Sequence, residues 1–381
     1  MMIQRRAFLK AVGAAAGMSV LAACGGQQTT SSSVPAASST AAVDPTAMQL
    51  TVTSNVEKET FRGEKAYQEF LSMAQPEMMI PGLKENQIPQ GLARCETTGK
   101  IYISAYSSIK LASVIMVLDS EGNYIAEYHL KTAGGSNFTG HVGGVAVTDT
   151  TLFVSNTMDS DGSYTIALIP RADLAETGKQ DVRIETSVTV PVSPSMLGYS
   201  NGILWVGNFY HPLQDYDLPP EMNYTTPNAN NDGSEYGCYI LGYDLSQQGD
   251  ARLQPADGKK YAMPDYVFAA PWKIQGMLYD TEAKIAVLSQ SYGRKNDAAL
   301  LRYNVDLAAD ADTTVTLAGE TLPCFVLDIK RQTHNIVTIP MTEGLALDED
   351  GSVLVLYESG ANKYSDGKHR TDYIWRAVFV D

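Results

Sequence analysis

The chain has 381 residues, of which 44% are hydrophobic, and this is enough to bury a large core. It carries 28 Lys and Arg against 43 Asp and Glu, which gives a net charge of −15 at pH 7 with no basic cluster to offset it. Such a surface repels nucleic-acid phosphates and anionic lipid headgroups, so binding to nucleic acid is excluded.

The first 23 residues carry an export signal. Gln4-Arg5-Arg6-Ala7-Phe8-Leu9-Lys10 resembles the twin-arginine export signature, and residues 11–23 follow without a charge. That apolar run is shorter than the roughly 20 residues that span a bilayer, and it is typical of a signal peptide. Leu21-Ala22-Ala23-Cys24 resembles a lipobox, which implies cleavage after residue 23 and attachment of palmitate-type lipid to Cys24. The alternative is an ordinary cleaved signal that contains a cysteine.

A spacer and one soluble domain follow the signal. Residues 24–47 are rich in Ser, Thr, Ala and Gln, and such a spacer typically reaches roughly 25 Å. Removing the three positive charges of residues 1–23 changes the net charge from −15 to −18. No later segment is apolar enough to span a membrane. The sequence therefore predicts a monomeric domain, residues 48–381, that is anchored only through lipid on the extracytoplasmic face of the membrane.

The remaining cysteines give little information. Cys95, Cys238 and Cys324 can form at most one disulfide, and the sequence does not say which two would pair. There is no Cys-x-x-Cys pair to suggest zinc.

A unit made of a strand, a tight turn and a second strand recurs along the chain. Its copies begin at Gln90-Gly91, Gly143-Gly144, Gln275-Gly276 and Glu343-Gly344, with a weaker copy at residues 195–199. A third β-rich segment follows each copy, at residues 114–118, 165–169, 239–243, 300–305 and 373–380. This pattern predicts an all-β propeller of five blades. The alternative is six blades, if residues 255–270 or 313–339 form a degenerate blade.

The N-terminal end of the domain is expected to close the ring. The last repeat stops after its third strand, and residues 49–53 are predicted to pair with it as the outer strand. Residues 57–74 are predicted to form a surface helix that packs Phe61, Tyr67, Phe70 and Leu71 against the body.

The repeat also predicts a site. In a propeller blade the inner strand starts on the face where the second strand ends, so residues at these positions should meet around one funnel. The inner ring comprises Gln90, His141, Ser195, Gln275 and Glu343. The outer ring comprises Tyr106, Asn156, Asn208, Tyr292, Arg294 and Glu358. Instead of binding a ligand, the glutamines could form structural hydrogen bonds to the next blade. Residues 358–364 could likewise be a polar turn without a role in binding.

A long insertion in the third repeat lies on the same face. Residues 211–236 interleave tyrosines with acidic residues, which is typical of a lid or a binding loop. The alternative is a surface loop without a functional role. Trp205 and Trp272 are predicted to pack between blades.

Two stretches resemble known propeller families. Gln275-Gly276-Met277 with Ser289-Gln290-Ser291-Tyr292-Gly293-Arg294 resembles a blade of plant-type glutaminyl cyclases. Glu343-Gly344 followed by Asp350-Gly351 is similar to the entry of gluconolactonase and strictosidine-synthase-like propellers, where the Glu binds calcium. The resemblance implies a Ca²⁺ site at Glu343, Asn156 and Asn208. The chain departs from that pattern, because its Glu-Gly lies in the last repeat and other channel acids are few.

These features predict a surface lipoprotein whose funnel binds a small molecule, a peptide or a glycan without a required cofactor. The alternative is a calcium-dependent, lactonase-like hydrolase or a glutaminyl-cyclase-like enzyme in the same funnel. In that case Glu343 would be the metal ligand or acid/base group, and His141 would carry the proton.

Overall fold

A computed structural model describes residues 47–156, 163–211, 222–223 and 236–380, and within these ranges the protein is nearly all β. The predicted signal peptide, Cys24 and almost all of the spacer lie outside the described residues, as do most of the third-repeat insertion and the side chain of Asn156. In the described part, no helix is long and apolar enough to cross a membrane.

The described elements are one short helix and 24 strands. They are α1 (Gln68–Met73), β1 (Ala74–Met79), β2 (Gln87–Arg94), β3 (Ile101–Ser107), β4 (Val114–Leu118), β5 (Tyr124–Lys131), β6 (Val145–Val147), β7 (Thr151–Asn156), β8 (Thr165–Pro170), β9 (Gly178–Arg183), β10 (Thr186–Thr189), β11 (Met196–Ser200), β12 (Ile203–Gly207), β13 (Met222–Asn223), β14 (Cys238–Asp244), β15 (Tyr266–Ala270), β16 (Ile274–Asp280), β17 (Ile285–Gln290), β18 (Ala298–Asn304), β19 (Thr313–Leu317), β20 (Glu320–Val326), β21 (Gln332–Thr338), β22 (Thr342–Leu347), β23 (Val353–Tyr357) and β24 (Tyr373–Ala377). Short 3-10 turns lie at Lys65–Tyr67, Arg171–Asp173, Gly249–Leu253 and Asn362–Tyr364.

Five antiparallel blades of four strands form a β-propeller, as the repeat predicts. From the hub outwards the blades are β2-β3-β4-β5, β6-β7-β8-β10, β11-β12-β14-β15, β16-β17-β18-β21 and β22-β23-β24-β1. The six-blade alternative is wrong. Residues 255–270 supply β15, the outer strand of the third blade, and residues 313–339 supply β19, β20 and β21 to the third and fourth blades.

The repeat glycines form the hub. A Cβ atom added at any of them would lie closer than 3.0 Å to the backbone of the inner strand of the next blade. Gly91 faces the second blade, Gly144 the third, Gly198 the fourth and Gly276 the fifth, and Gly344 faces the first blade again. The glycine recurs in each repeat because only a residue without a side chain lets the inner strands approach this closely.

The ring is closed by an N-terminal strand, as expected, but residues 49–53 do not provide it. Instead β1 pairs antiparallel with β24, from Ala74 opposite Ala377 to Met79 opposite Tyr373. Phe61, Tyr67 and Phe70 are fully buried in the same core cluster as Trp375 of the fifth blade. This packing places the residues that follow α1 beside β24, so they are the ones that complete the blade.

The predicted helix at residues 57–74 is also shorter than expected, because α1 begins only at Gln68. Gly63, which disfavours a helix, lies in the preceding irregular segment.

Two blades are extended by strands borrowed from a neighbour. The connection between β8 and β10 contributes β9, which pairs parallel with β5 of the first blade. The connection between β18 and β21 contributes β20, which pairs parallel with β15 of the third blade and continues through β19 to β13. These additions cover outer edges that would otherwise expose unpaired backbone groups.

The space between blades is filled mainly by aliphatic and aromatic side chains. Trp205 stacks on Phe268 with 4.5 Å between ring centroids, which confirms its predicted packing role. The three cysteines of the domain are buried free thiols, so none of them pairs with another.

Candidate functional site

A cavity of about 350 Å³ opens on the face where the inner strands begin. It is lined by Gln90, His141, Gly143, Ser193, Pro194, Ser195, Phe209, Gln275, Tyr292 and Glu343. We call this cavity the funnel. All five inner-ring residues of the sequence prediction line it, together with Tyr292 of the outer ring. Their convergence follows from the propeller geometry, and their role in binding stays a prediction.

Irregular pairing in three inner strands lies where the site residues sit. The ladders shift register between Pro89 and Leu92, between Ile274 and Gly276, and between Thr342 and Leu345. These shifts contain Gln90, Gln275 and Glu343. A bulge bends the strand and re-aims a side chain, and this local geometry places the three side chains along the funnel rather than in the ladder.

Serines of the second strands hold the inner strands in place. The hydroxyl of Ser104 accepts a hydrogen bond from the Gly91 amide at 2.9 Å and donates to the carbonyl of Val142 in the next blade at 2.8 Å. Ser289 likewise donates to the Glu343 carbonyl at 2.6 Å. Cross-blade bonds of this kind fix the relative positions of neighbouring inner strands, and therefore of the funnel residues.

Two carboxyl groups lie together at the funnel, where Glu343 lines the cavity and the half-buried Glu358 contacts it. Glu343 is only 3% exposed, and its side chain is hydrogen-bonded to that of Glu358, which directly follows β23. A hydrogen bond between two carboxyl groups requires a proton on one of them. Burial, and next the charge of Glu358, raise the pKa of Glu343 well above its usual range. Burial also raises the pKa of Glu358 to about 7, against the opposing effects of Tyr364, Gln90 and Lys363.

Glu358 is held by donors from two blades. The amide of Gln90 donates to Oε2 at 2.9 Å, and the hydroxyl of Tyr364 donates to the same oxygen at 3.0 Å. Gln90 also donates to the Pro89 carbonyl at 2.8 Å, so its amide joins the first blade to the fifth. On the other side, Gln275 reaches Oε1 of Glu343 at 3.5 Å, which is a weak contact. The pair is thus fixed mainly through Glu358.

A lysine, a tyrosine and a histidine form the adjacent wall. Lys363 donates to the hydroxyl of Tyr106 at 2.6 Å, and the Tyr106 ring stacks on His141 with 4.5 Å between centroids. Although His141 reaches solvent at the mouth, the surrounding walls desolvate its ring. Desolvation, and then the Lys363 ammonium, lower the pKa of His141, so the ring is neutral at pH 7.

The opposite wall is aromatic and comes from the third and fourth blades. Phe209 follows β12 and lies 6.3 Å from the ring of Tyr292, nearly parallel to it. His211 contacts Tyr292 at 4.6 Å and Trp272 at 5.7 Å between centroids. Lys273 places its ammonium 4.6 Å from the Trp272 ring. Trp272 is partly exposed at this rim, so it is not the blade-packing residue that the sequence predicts.

Three wall residues are not among the site residues that the sequence predicts. Lys363 and Tyr364 belong to the segment after Glu358, for which a polar turn is the alternative. The sequence signal for Phe209 is its position just beyond the end of a second strand, next to Asn208.

Four predicted residues do not line the cavity: Tyr106, Asn208, Arg294 and Glu358. Tyr106 and Glu358 contact the lining residues His141 and Glu343, whereas Asn208 and Arg294 are bound elsewhere. Asn208 is 3% exposed; its oxygen accepts the Tyr239 amide at 2.8 Å and its nitrogen donates to the Gly237 carbonyl at 3.1 Å. Arg294 forms an ion pair with Asp366 at 2.6 Å and lies over the Tyr364 ring at 4.9 Å. Asn208 therefore braces the third blade, and Arg294 supports the outside of the wall formed by residues 358–364.

These contacts bear on the calcium site implied by the resemblance. The Asn208 oxygen already accepts a backbone amide, and the Glu343 carboxyl is hydrogen-bonded to a second carboxyl, whereas calcium prefers several converging oxygen donors. Among the described residues, no group of three or more His, Cys, Asp or Glu is arranged to hold a metal ion. The described side chains fit calcium poorly, and its binding stays a prediction.

The fold and the site define the class of protein: it is a five-bladed β-propeller whose funnel is lined by polar side chains from each blade. No protein-family model matches the chain, and no curated protein matches it either. Eight of the solved structures that resemble it are 10–13% identical, and these neighbours are propellers.

Three of these structures illustrate the range. A putative oxidoreductase (glucose dehydrogenase) from Thermus thermophilus is 12% identical with a TM-score of 0.38, over 80% of this chain and 99% of that one. A gluconolactonase from Xanthomonas campestris is 11% identical with a TM-score of 0.31, over 76% and 83%. A GH43_1 enzyme from Xanthomonas citri is 11% identical with a TM-score of 0.40, over 83% and 93%. Similarity this low carries no argument about activity.

Proposed function

We propose that this chain is a lipid-anchored, extracytoplasmic binding module whose funnel binds a small molecule, a peptide end or a glycan. The observation that carries the proposal is the convergence of polar side chains from all five blades on one cavity, among them the buried Glu343, which contacts Glu358. Buried carboxyl groups are costly to desolvate, and a ligand that hydrogen-bonds to them offsets this cost. The aromatic wall opposite supplies the apolar contact area that small-molecule sites usually have.

Affinity selection tests this proposal. The mature chain is incubated with a metabolite extract, and the retained compounds are identified by mass spectrometry. We expect compounds that are retained by the wild type and by Glu69→Gln, an exposed control in α1, but lost in Gln275→Ala and Glu343→Gln. A ligand set unaffected by both funnel substitutions, with all variants folded, would rule out the funnel as the site.

The anchoring part of the proposal rests on residues 1–24 and is tested separately. We expect Cys24→Ala to lose incorporation of a palmitate analogue and to leave the membrane fraction. Replacing Arg5 and Arg6 together by lysine should retain the precursor in the cytoplasm. Membrane association that persists in Cys24→Ala would contradict lipid anchoring.

The carboxyl pair supports a second candidate, acid/base catalysis in the same funnel. Of two carboxyl groups that share a proton, one can accept a proton from an attacking water while the other donates one to the leaving oxygen. A lactone hydrolase would use Glu343 and Glu358 in these roles, with His141 in reach at the mouth. In a glutaminyl cyclase one carboxyl group would instead accept the proton of the substrate's attacking α-amine, and the other would donate one to the leaving ammonia. We would test turnover of lactones and of peptides with N-terminal glutamine, with and without millimolar calcium. Turnover that Glu343→Gln abolishes would establish an enzyme, and turnover that the variant retains would exclude this mechanism.

A further inference from the structure

Basic side chains lie beside the glutamate pair of the funnel. The chain is strongly acidic, and two glutamates at a cavity would by themselves suggest a cationic ligand. However, Glu343 lies against Glu358, and burial raises the pKa of both groups, so the pair carries at most one negative charge near neutral pH. Lys363 lies on the same wall: its ammonium is 5.1 Å from the ring of Tyr364, and the hydroxyl of Tyr364 bonds Glu358. Lys273 on the aromatic wall adds a second ammonium, 5.3 Å from the ring of Tyr292, so the described walls do not select a cationic ligand.

The polar groups that line the funnel both donate and accept hydrogen bonds. Gln275 has a carboxamide whose contact with Glu343 is weak at 3.5 Å. Ser193 and Ser195 contribute hydroxyl groups, and Glu343 adds carboxyl oxygens that accept. Ligand hydroxyl groups, which are also donors and acceptors, match such a surface better than an ammonium or a carboxylate does.

The aromatic wall offers a flat apolar face. Phe209 and Tyr292 are inclined by only 29° to each other, and both line the cavity. A cavity of about 350 Å³ is near the lower end of the range for small-molecule sites, so it suits one or two rings rather than a long segment.

We propose that the funnel takes an uncharged, hydroxyl-rich ring, namely a neutral saccharide unit. One face of the ring lies against Phe209 and Tyr292, and its hydroxyl groups reach Gln275, Ser195 and the carboxyl pair. This assignment rests on the binding function proposed above and deepens it by naming the ligand class.

Calorimetry with matched monosaccharide probes tests the assignment. The mature lipidated chain is titrated, in a detergent without a sugar headgroup, with methyl glycosides of glucose, galactose, mannose and N-acetylglucosamine. The same titrations are made with the matching amino sugars and uronic acids. We expect at least one neutral glycoside to bind at least tenfold more tightly than its charged counterparts. Phe209→Ala and Gln275→Ala should each weaken that binding at least tenfold, whereas the exposed control Glu69→Gln should leave it nearly unchanged.

The outcomes separate the ligand class from the site. Tighter binding of an amino sugar or a uronic acid, abolished by Gln275→Ala, overturns the neutral class and leaves the funnel site in place. Neutral binding that survives both alanine substitutions overturns the proposed location. If no sugar binds but affinity selection still retains a ligand that depends on Gln275, the saccharide class alone is wrong. If neither method finds a ligand that depends on the funnel, both the saccharide class and the proposed binding function are wrong.

Discussion

At the scale of single residues, the glutamate pair is the feature with the clearest consequences. Glu343 is almost fully buried and hydrogen-bonded to Glu358, and burial raises the pKa of both groups. A carboxyl group whose pKa is higher in the folded than in the unfolded protein binds more protons when folded. The pair therefore stabilises the fold in the acidic range and loses this contribution when it ionises.

The pH dependence follows from that sign. The contribution is fully present below about pH 4.5, the usual value for glutamate, and is lost as pH rises through about 7, the folded pKa of Glu358. We expect ionisation to lower the free energy of unfolding by roughly 1–2 kcal/mol between pH 5 and pH 8, or Tm by about 2–4 °C. Glu343→Gln, which keeps a hydrogen-bond donor but cannot ionise, should reduce this slope. Thermal melts at several pH values, with Glu69→Gln as control, measure it; equal slopes in all three proteins would contradict the shared proton.

How far the sequence predicts the site depends on the kind of contact. The repeat is sufficient to place Gln90, His141, Ser195, Gln275 and Glu343 around one cavity, because equivalent positions of propeller blades must converge. The contact between Glu343 and Glu358 is not encoded in the repeat. It depends on the bulge that re-aims Glu343 and on the path of the turn after β23, and neither is visible in one blade alone.

At the scale of elements, the first described residues are fixed to the body by side-chain carboxylates. Glu127 of β5 is fully buried and accepts the backbone amides of Gln49 at 2.8 Å and Leu50 at 3.0 Å. Asp372 accepts the amides of Asn55 at 2.7 Å and Val56 at 2.8 Å. Residues 49–56 thus run along the first and fifth blades as an attached segment instead of pairing as a strand.

This attachment explains why the predicted closing strand was wrong. Residues 49–53 alternate apolar and polar side chains as a strand does, but two of their amides are bound by the Glu127 carboxylate instead of a ladder. A carboxylate partner 77 residues away in the chain leaves no periodic signal in the sequence.

Glu127→Gln tests the attachment. Desolvation acts to raise the pKa of Glu127, but hydrogen bonds from His129, Tyr124 and the two amides outweigh it and lower the pKa to about 2. The ionised group therefore stabilises the fold above about pH 4.5, and this contribution is lost as pH falls towards 2. We expect Glu127→Gln to cost about 1.5–3 kcal/mol at pH 7, because a charged acceptor of several bonds is lost.

Hydrogen exchange gives the local readout for this variant. Amides of residues 49–51 should exchange faster in Glu127→Gln, while amides of the inner strands should keep their protection. Glu121→Gln, an exposed position in the turn between β4 and β5, is the matched control. Unchanged exchange at residues 49–51 would show that the carboxylate does not hold this segment.

At the scale of the whole molecule, the ring depends on five close approaches at its hub. Each repeat glycine lies against the next inner strand, and Gly344 completes the circle by facing Gly91 and Leu92 of the first blade. The number of blades was predictable because these glycines recur with the strand pattern. The strands β9 and β20, which extend neighbouring blades, were not predictable, because they lie in connections that share no pattern with the repeat.

Alanine substitutions at three glycines separate hub packing from other effects of glycine. A Cβ at position 344 would meet the backbone of Leu92 and Gly91, which cannot move without shifting the first blade. At Gly351 a Cβ meets nothing within 4 Å, but φ is +81°; at Gly63 there is neither a close contact nor a positive φ. We expect Gly344→Ala to destabilise by more than about 3 kcal/mol, Gly351→Ala by about 1 kcal/mol, and Gly63→Ala by less than about 0.5 kcal/mol. Denaturant unfolding of the three variants measures the order. If Gly344→Ala were no worse than Gly351→Ala, contact between the inner strands would not hold the ring closed, and the convergence of the funnel residues would need another cause.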